Sequence, residues 1–296
     1  MASEGDRRPD LEVDLQEPRG SRLLGGVRLQ DEGAKGVAIA LASTVVFITL
    51  VVLAITHAAG WPEVKRVFFD WGDISGSFPD IARAFVLNVK IFLVCEVFIL
   101  VLSLIIAVLR SLPGPVFFPL RALATIYVDL ARGVPTILVI ALLGFGAPAL
   151  QLTGVPRSPV FWAGVGLILV YSGYVAEVYR AGIESIHPSQ EAAARSLGLT
   201  RFHALRRVVL PQAVRRVIPP LLNDFIGLQK DTALVALLGP VEAFRQSQIE
   251  VAGSFNYTPY VVTALIFILL TVPLARLTDW LVQRDRRRQL ALGGAR

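Results

Sequence analysis

Long apolar segments constrain the fold of this chain more than any other feature. The stretch 37–59 contains no Asp, Glu, Lys or Arg, and 54% of the 296 residues are hydrophobic. A helix needs roughly 20 apolar residues to cross a hydrocarbon core about 30 Å thick. Such segments lie near residues 38–59, 83–109, 118–145, 160–181, 218–238 and 259–281. They are rich in Leu, Ile, Val and Ala without strand-like alternation, which predicts an all-α integral membrane protein with six spans.

Basic residues predict which side of the membrane each connection occupies. The formal net charge is +6, and Lys and Arg concentrate in residues 1–35, in the 180–216 segment and from residue 276 onwards. Because Lys and Arg favour the cytoplasmic side of short loops, both termini and the 180–216 segment are expected inside. Nucleic-acid binding is an alternative for the basic C-terminal tail, but contact with membrane lipid explains the same charges. No nucleic-acid partner is therefore expected.

Motifs for catalysis or metal binding are absent from the sequence. It contains no Gly-x-x-x-x-Gly-Lys-Ser/Thr phosphate loop, no Gly-x-Ser-x-Gly and no His-Glu-x-x-His. The three histidines lack the spacing of metal ligands, and a single cysteine cannot form a disulfide within the chain. We therefore expect no catalytic residue, no metal and no cofactor bound by this chain, and we do not expect it to be an enzyme.

A short helix is predicted between Pro188 and Gly198, inside a polar loop at 182–216. Proline suits the first helical position, where its missing N–H would have no partner. Glycine suits the position just after a helix, where φ is positive. Three consecutive alanines between them give the helix little side-chain bulk. Such a stiff, small-sided helix suits a groove on a partner protein, and an ordinary surface helix is the alternative.

This loop resembles the coupling loop of ABC importer permeases, in the branch that carries polar amino acids. The family pattern is Glu-Ala-Ala, three residues, glycine, nine residues, then an aliphatic residue, any residue and Leu-Pro. The matching positions here are Ala193, Ala194, Gly198, Leu210 and Pro211. The glutamate departs from the pattern, because Ala192 holds its position and Glu191 lies one place earlier.

Residues on both sides of the loop match the same family. The stretch 127–135 resembles its Tyr, acid, Arg-Gly-x-Pro segment. Other matches, in the family's order, are Glu177, Arg180, Gly182, Gln190, Gln212, Pro219, Pro220, Asn223, Lys230, Asp231 and Thr232. The resemblance covers about residues 82–284 and implies a five-helix ABC importer permease core. The helix near 38–59 is then one additional N-terminal transmembrane helix.

The resemblance and the composition together divide the chain into four parts. Residues 1–36 are charged and aperiodic, so we expect a cytoplasmic, disordered tail. Residues 37–81 hold the extra transmembrane helix and an external aromatic segment. Residues 82–284 form the permease domain with its coupling loop at 182–216, and 285–296 form a basic cytoplasmic tail.

The resemblance implies a transmembrane permease subunit of an ATP-driven importer for polar amino acids, in a bacterial plasma membrane. The implied partners are ABC ATPase subunits that bind ATP and Mg, an external solute-binding protein, and a second copy or a second permease chain. The residues implied to dock on the ATPase are Pro188, Gln190, Glu191, Ala193, Ala194, Gly198, Leu210 and Pro211. Open points are the amino acid carried, homodimer against heterodimer, the role of the extra helix, and whether Glu191 replaces the displaced glutamate.

Charged residues in the predicted spans are candidates for the translocation path or for structural pairs, because an ionised group in a membrane needs polar surroundings. Asp129 and Arg132 lie three residues apart, as do Glu177 and Arg180. Residues with that spacing share a helix face. We therefore predict that each pair neutralises itself or orients the loop against a partner.

Three further polar residues, Asn223, Lys230 and Asp231, adjoin an apolar run and either shape the path or serve packing. Glu96 lies near the centre of its span without a basic residue on its face. An unpaired carboxylate there would cost several kcal/mol. One hypothesis is that Glu96 faces the pore or a partner subunit and favours a cationic or zwitterionic substrate.

Two rival functions follow from the same sequence. An ABC permease for another solute, such as methionine or an oxyanion, would keep the coupling loop, but the Arg-Gly-x-Pro and Lys-Asp-Thr segments argue against it. A self-sufficient channel or ion-driven carrier would need no ATPase and would make the loop match a coincidence. Uptake that survives the loss of any ATPase partner would favour this second rival.

Overall fold

The computed structural model describes the backbone of residues 34–293 and the side chains of residues 36–284. The predicted tail at 1–36 lies almost entirely outside these residues, and the basic tail at 285–296 lies outside the residues whose side chains are described. All regular structure between 34 and 293 is helical. The α-helices are α1 (Ala34–Thr56), α2 (Trp61–Phe68), α3 (Trp71–Arg110), α4 (Phe118–Gly133), α5 (Thr136–Ala149), α6 (Pro159–Glu184), α7 (Pro188–Ser196), α8 (Arg201–Ala204), α9 (Leu210–Asp231), α10 (Ala243–Ser254) and α11 (Thr258–Gly293). A π-helical turn (Leu205–Val209) joins α8 to α9, and a 3-10 segment (Thr232–Leu238) follows α9.

Contacts within the chain define two units, which divide between residues 61 and 62. The first unit contains α1, whose side chains from 37 to 55 are all exposed. A helix that is apolar all round and this long is typical of a membrane span. The second unit contains all the other helices, so residues 62–81 group with the permease core.

Helix α6 organises the second unit by packing against α3, α4, α5 and α9. Its buried side chains, among them Leu167 and Val175, share an apolar cluster with Ile99 of α3 and Leu228 of α9. Glycine permits a close approach of α6 to α4, since a Cβ at Gly173 would lie 2.5 Å from the Cβ of Ala131 in α4. Small residues at such contacts let helices approach closely in membrane proteins.

Five of the six predicted spans coincide with a helix, or a bent pair of helices, that is long and apolar enough to cross a membrane. Four are helices, at Gly36–Thr56, Trp61–Arg110, Pro159–Glu184 and Thr258–Arg284. The fifth is the pair α4 and α5, which is bent by 102°. The span predicted near 118–145 is therefore found as two helices with a sharp bend between them. The physical reason is the Val134–Pro135 break, where proline pushes the preceding residue into extended backbone (φ −100°, ψ 130°).

The predicted span near 218–238 also differs from a continuous apolar helix. Helix α9 begins at Leu210 and ends at Asp231, and the chain then continues as the tighter 3-10 segment. Polar and charged side chains interrupt its apolar surface, including Asp224, Lys230 and Asp231. A membrane helix tolerates such groups only where they face protein or a polar path, so this part of the chain is a candidate site.

Candidate functional site

Helix α7 forms where the sequence predicts it, with Pro188 as its first residue. The preceding residue, His187, caps the helix because its Nδ1 accepts a hydrogen bond from the backbone N–H of Ser189 at 3.2 Å. Gly198 follows the helix with φ +88°, the left-handed conformation in which a Cβ would be strained. The predicted short helix is therefore confirmed, with nine residues.

The two faces of α7 differ in what they contact. Helix α7 packs against α8 and the π-helical turn, and Ala194 is only 5% exposed. Ala193, Pro188 and Gln190 are exposed. Ala194 was expected on the docking face, but its small side chain is buried by its own loop. The exposed surface of α7 is therefore formed by its other residues.

Glu191, which lies one residue before the family's glutamate position, has a partner within the loop. Glu191 is half-buried, and its Oε1 lies 3.6 Å from Nε of Arg201 at the start of α8. Both belong to the 182–216 loop, so this pair braces α7 against α8. An exposed pair of this kind contributes less than about 1 kcal/mol. Ala192, which holds the family's glutamate position, is exposed.

Large apolar side chains project from the same loop, which the sequence analysis missed. Leu197 is 86% exposed and Phe202 is 64% exposed, and Leu205 and Leu210 are also exposed. An apolar patch of this kind marks an interaction surface when it has a polar rim. Arg195 and other arginines of the loop are exposed as well. The sequence signal was the isolated Phe in a basic, polar segment.

A charge network joins the end of α3 to the end of α6. Glu177 accepts from Arg180, as its spacing predicts, and Arg180 also donates to Glu184. Arg110 was not predicted as a partner; its Nη1 lies 2.8 Å from Oε2 of Glu177. Near the same helix end, Arg216 donates to the backbone oxygen of Ser185, at the entrance of the loop.

The other predicted pair is not formed. Asp129 and Arg132 are both exposed on α4, and within residues 36–284 neither makes an ion pair. An exposed pair at this spacing is worth only about 0.3–0.5 kcal/mol, too little to immobilise two flexible side chains. The two charges remain available to a partner or to a solute.

Three acids lie on or beside the interior of the helical unit. Glu96 is half-buried and interacts electrostatically with Asp224 of α9 and with Tyr179 of α6. Oδ2 of Asp224 is buried, with no hydrogen-bond partner in the described part of the chain. Asp231 accepts a hydrogen bond from the Tyr171 hydroxyl at 2.9 Å. Asp224 was missed, although a charge inside a predicted span was a usable signal.

A buried polar cluster fixes the chain around the 3-10 segment. The Asn88 side-chain N–H₂ donates to Glu242 Oε2 at 2.8 Å and to Thr232 Oγ1 at 3.1 Å. All three residues are at most 1% exposed. Burial raises the pKa of Glu242 above its usual range, while hydrogen bonds from the Phe244 N–H, the Asn88 amide and the Arg245 N–H act in the opposite direction.

Two neighbouring cavities, both open to the surface, lie beside the 3-10 segment. One has a volume of about 510 Å³ and is lined by Lys230, Ala233, Phe244, Tyr260, Thr263, Ala264 and Phe267. The other has a volume of about 320 Å³ and is lined by Ile137, Ala233, Leu234, Ala236, Leu237, Phe244, Arg245 and Gln248. Ala233 and Phe244 line both cavities. Asn223 is exposed on α9 and lines neither of them.

Known proteins resemble this chain in sequence over most of its length. The family profile described as binding-protein-dependent transport system inner membrane component matches residues 99–287. The probable amino-acid permease protein YxeN of Bacillus subtilis (strain 168) is 33% identical over 211 residues, which are 71% of this chain and 93% of that protein. The probable amino-acid ABC transporter permease protein PatM of Vibrio harveyi is 37% identical over 62% of this chain and 82% of its own length.

Solved structures share the fold. A chain from the crystal structure of an amino acid ABC transporter with histidines is 27% identical to this one, with a TM-score of 0.66. The similarity covers 73% of this chain and 98% of that chain. The inward-facing MetNI methionine ABC transporter has a TM-score of 0.55 at 19% identity. This chain is an integral membrane protein and belongs to the family of binding-protein-dependent transport system inner membrane components, the permeases of ABC importers.

Proposed function

We propose that this chain imports polar amino acids as the permease subunit of an ATP-driven transporter. The amino-acid permease names of relatives such as YxeN and PatM support the substrate class. The basic loop and tails support a bacterial plasma membrane location with both termini cytoplasmic. The extra helix α1 would then cross the membrane before the permease core begins.

The observation that carries this proposal is the exposed face of the 182–216 loop. Helix α7 presents Pro188, Gln190 and Ala193, and the apolar side chains of Leu197 and Phe202 lie exposed beside it. Gly198, Leu210 and Pro211 of the predicted docking set are also exposed, Glu191 is partly exposed, and Ala194 is buried. A short, rigid helix with small side chains can enter a groove of an ATPase subunit and be pushed as a unit.

The chemistry of ATP is assigned to the partner. This chain supplies no phosphate-binding loop, so the ATPase subunits would bind ATP and Mg, and this chain would bind no cofactor of its own. A second permease chain, identical or related, would complete the path, and an external solute-binding protein would deliver the amino acid. For ATP hydrolysis to drive import, ATP binding and solute binding must both shift the equilibrium of one structural element that has two stable positions.

The network around Glu177 suits the transmission of that movement. It links the end of α3 to α6, and Arg216 links the start of α9 to the same region. Movement of α7 would therefore move the ends of three long helices together. Glu96, Asn223, Lys230 and Asp231, together with the unpaired Asp129 and Arg132, are the polar groups we assign to the path or to the surface facing a second permease chain.

The test begins with the assembled complex. The tagged chain is purified gently from its native membrane, its partners are identified, and the complex is placed in liposomes with labelled amino acids and ATP. We expect stoichiometric ATPase subunits and uptake that requires ATP. The variant Ala193→Arg should lose ATP-driven uptake and the bound ATPase. Ala149→Arg, on an exposed residue at the end of α5, is the matched control and should keep both.

The rival functions predict different results in the same assay. A channel or ion-driven carrier would be purified without an ATPase and would remain active after reconstitution. A permease for another solute would bind the ATPase and respond to Ala193→Arg, but labelled methionine or an oxyanion would be imported in place of polar amino acids. Either result would overturn the corresponding part of the proposal.

A further inference from the structure

Helix α4 presents one acid and one base for which the described part of the chain supplies no ion-pair partner. Asp129 and Arg132 are both exposed, and no residue between 36 and 284 forms a salt bridge with either of them. They lie in the last two turns of α4, just before the bend that divides the candidate span formed by α4 and α5. Both charges are therefore near the middle of that span, where an ionised group needs protein or water around it.

The remaining exposed residues of α4 are apolar. They include the large side chains of Leu123, Ile126 and Leu130. A water-filled path along this surface would leave these apolar side chains in water, and lipid alone would leave the two charges without a polar partner. A protein surface that is itself apolar and carries one base and one acid satisfies both kinds of residue.

The two charges continue a stripe of small side chains along α4. Ala122 and Thr125 precede Asp129 and Arg132, and the four positions are spaced by three, four and three residues. Residues at this spacing share one face of a helix. Ala122 and Thr125 are partly exposed, and small residues let another helix approach closely within a membrane. A second helix can therefore contact α4 along this stripe and reach both charges.

We propose that this stripe of α4 packs against the same stripe in a second copy of the chain, and that Asp129 of each copy pairs with Arg132 of the other. The inference rests on the proposed function, in which two permease chains form the path. Two copies that meet through the same patch need a self-complementary patch, and an acid beside a base meets that requirement. The copies share one orientation in the membrane, so their α4 helices run in the same direction with the charges at the same depth.

Pairing between the copies removes the cost that each charge carries alone. The Arg132 guanidinium offers two parallel N–H donors to a carboxylate, and such a pair is stronger than a hydrogen bond between neutral groups. The twofold axis produces two of these pairs at once. Like charges brought together at the same positions would repel, which selects this partner and this register over others.

The test reverses one charge at a time in the full-length chain. Two copies of the chain with different affinity tags are expressed together in the native host, and complexes that contain both tags are isolated by two successive affinity steps. Asp129→Arg is combined with itself, Arg132→Asp is combined with itself, and Asp129→Arg in one copy is combined with Arg132→Asp in the other. In this mixed combination both contacts between the copies join opposite charges, whereas each copy alone carries two like charges. Recovery there cannot come from a pair within one chain.

A pair with the same residue types and spacing on α3 is the control. Asp80 and Arg83 are exposed and bind each other within the chain, with Oδ1 and Nη1 2.8 Å apart. Asp80→Arg and Arg83→Asp are therefore tested in the same three combinations. Because no contact between the copies is assigned to these residues, all three combinations should give the wild-type yield of two-tag complex within about twofold.

We expect the yield of two-tag complex to fall by about fivefold or more, relative to wild type, when Asp129→Arg or Arg132→Asp is combined with itself. The mixed combination should return to within about twofold of wild type. A wild-type yield in all three combinations, or a mixed combination as low as the other two, would overturn the inference.

Two results separate this inference from the proposed function. If wild-type copies are never isolated together, while the complex holds an ATPase and a different permease chain, the inference fails and the proposed function stands. If the wild-type complex contains no ATPase, or imports no polar amino acid with ATP, the proposed function fails. The yields of the charge combinations then still decide whether two copies meet through α4.

Discussion

Arg110 and Glu177 form an ion pair between the last residue of α3 and the C-terminal part of α6, with Nη1 and Oε2 2.8 Å apart. Their side chains are 13% and 21% exposed, so water screens the pair only in part. Arg180 binds the other carboxylate oxygen of Glu177. One carboxylate therefore pairs with two guanidinium groups beside the 182–216 loop.

Removing that carboxylate charge should weaken the fold. Glu177→Gln leaves two arginines close together without their shared anion, and its amide N–H₂ cannot accept from either of them. We expect a loss of about 1–3 kcal/mol in unfolding free energy, measured as a lower thermal transition of the purified complex. Glu184→Gln removes only the exposed partner of Arg180 and should cost less than about 1 kcal/mol. Equal transitions in the two variants would contradict the central role of Glu177.

The contact of α6 with α4 should be sensitive to a single methyl group. Gly173→Ala places a Cβ 2.5 Å from the Cβ of Ala131, which is fixed to the backbone and cannot rotate away. Such overpacking typically costs about 1–3 kcal/mol. Gly164→Ala is the matched control on the same helix, because its Cβ would lie 3.5 Å from the Cys95 sulfur, an ordinary contact.

Thermal unfolding of both variants, followed by intrinsic fluorescence, measures this difference. Gly164→Ala should be neutral or slightly more stable, since alanine is a better helix former than glycine by up to about 1 kcal/mol. A Gly173→Ala variant as stable as Gly164→Ala would mean that α4 and α6 are not packed as closely as described.

Local signals in the sequence predicted one part of this molecule well. Pro188 and Gly198 define the bounds of α7 because both act on the backbone within a few residues, and the apolar segments predict spans from their length alone. The spacing rule also predicted the Glu177–Arg180 pair. It failed for Asp129 and Arg132 because spacing brings two charges to one face but does not bury them.

Long-range contacts are the part that the sequence could not supply. Arg110 and Glu177 are 67 residues apart, and Asn88 and Glu242 are 154 residues apart. No periodicity relates positions so distant, and only the packing of α3 on α6 and α10 brings them together. The burial of Ala194 was missed for the same reason, since it depends on how the loop folds back on α7.

The two neighbouring alanines of α7 should respond differently to arginine. Ala194→Arg forces a charged side chain into a site that is 5% exposed, so the loop itself should open. We expect faster cleavage of the 182–216 loop by trypsin at its native basic residues, compared by fragment mapping. Ala193→Arg adds the same new cleavage site on an exposed position and should leave cleavage elsewhere in the loop unchanged. Equal loop cleavage in both variants would place Ala194 on the surface.

The Asn88 cluster should be the most sensitive polar site in the described part of the core. Asn88→Ala removes the acceptor of the Ala243 N–H and one donor to Glu242, at about 1–3 kcal/mol for each buried group left without a partner. Asn223→Ala, at an exposed position on α9, is the control and should be within about 0.5 kcal/mol of wild type.

The cost of Asn88→Ala should also depend on pH. Because burial raises the pKa of Glu242, its charged form is disfavoured in the fold, and its contribution to stability falls as pH rises from the ordinary carboxyl pKa to the folded one. The Asn88 N–H₂ stabilises the charged form, so its loss raises that folded pKa further and widens the pH range of the fall. Thermal unfolding of Asn88→Ala and of its control Asn223→Ala is measured across pH and compared with wild type. We expect Asn88→Ala to lose more stability in neutral buffer than in acid. A loss of stability independent of pH would mean that Asn88 does not stabilise the Glu242 carboxylate.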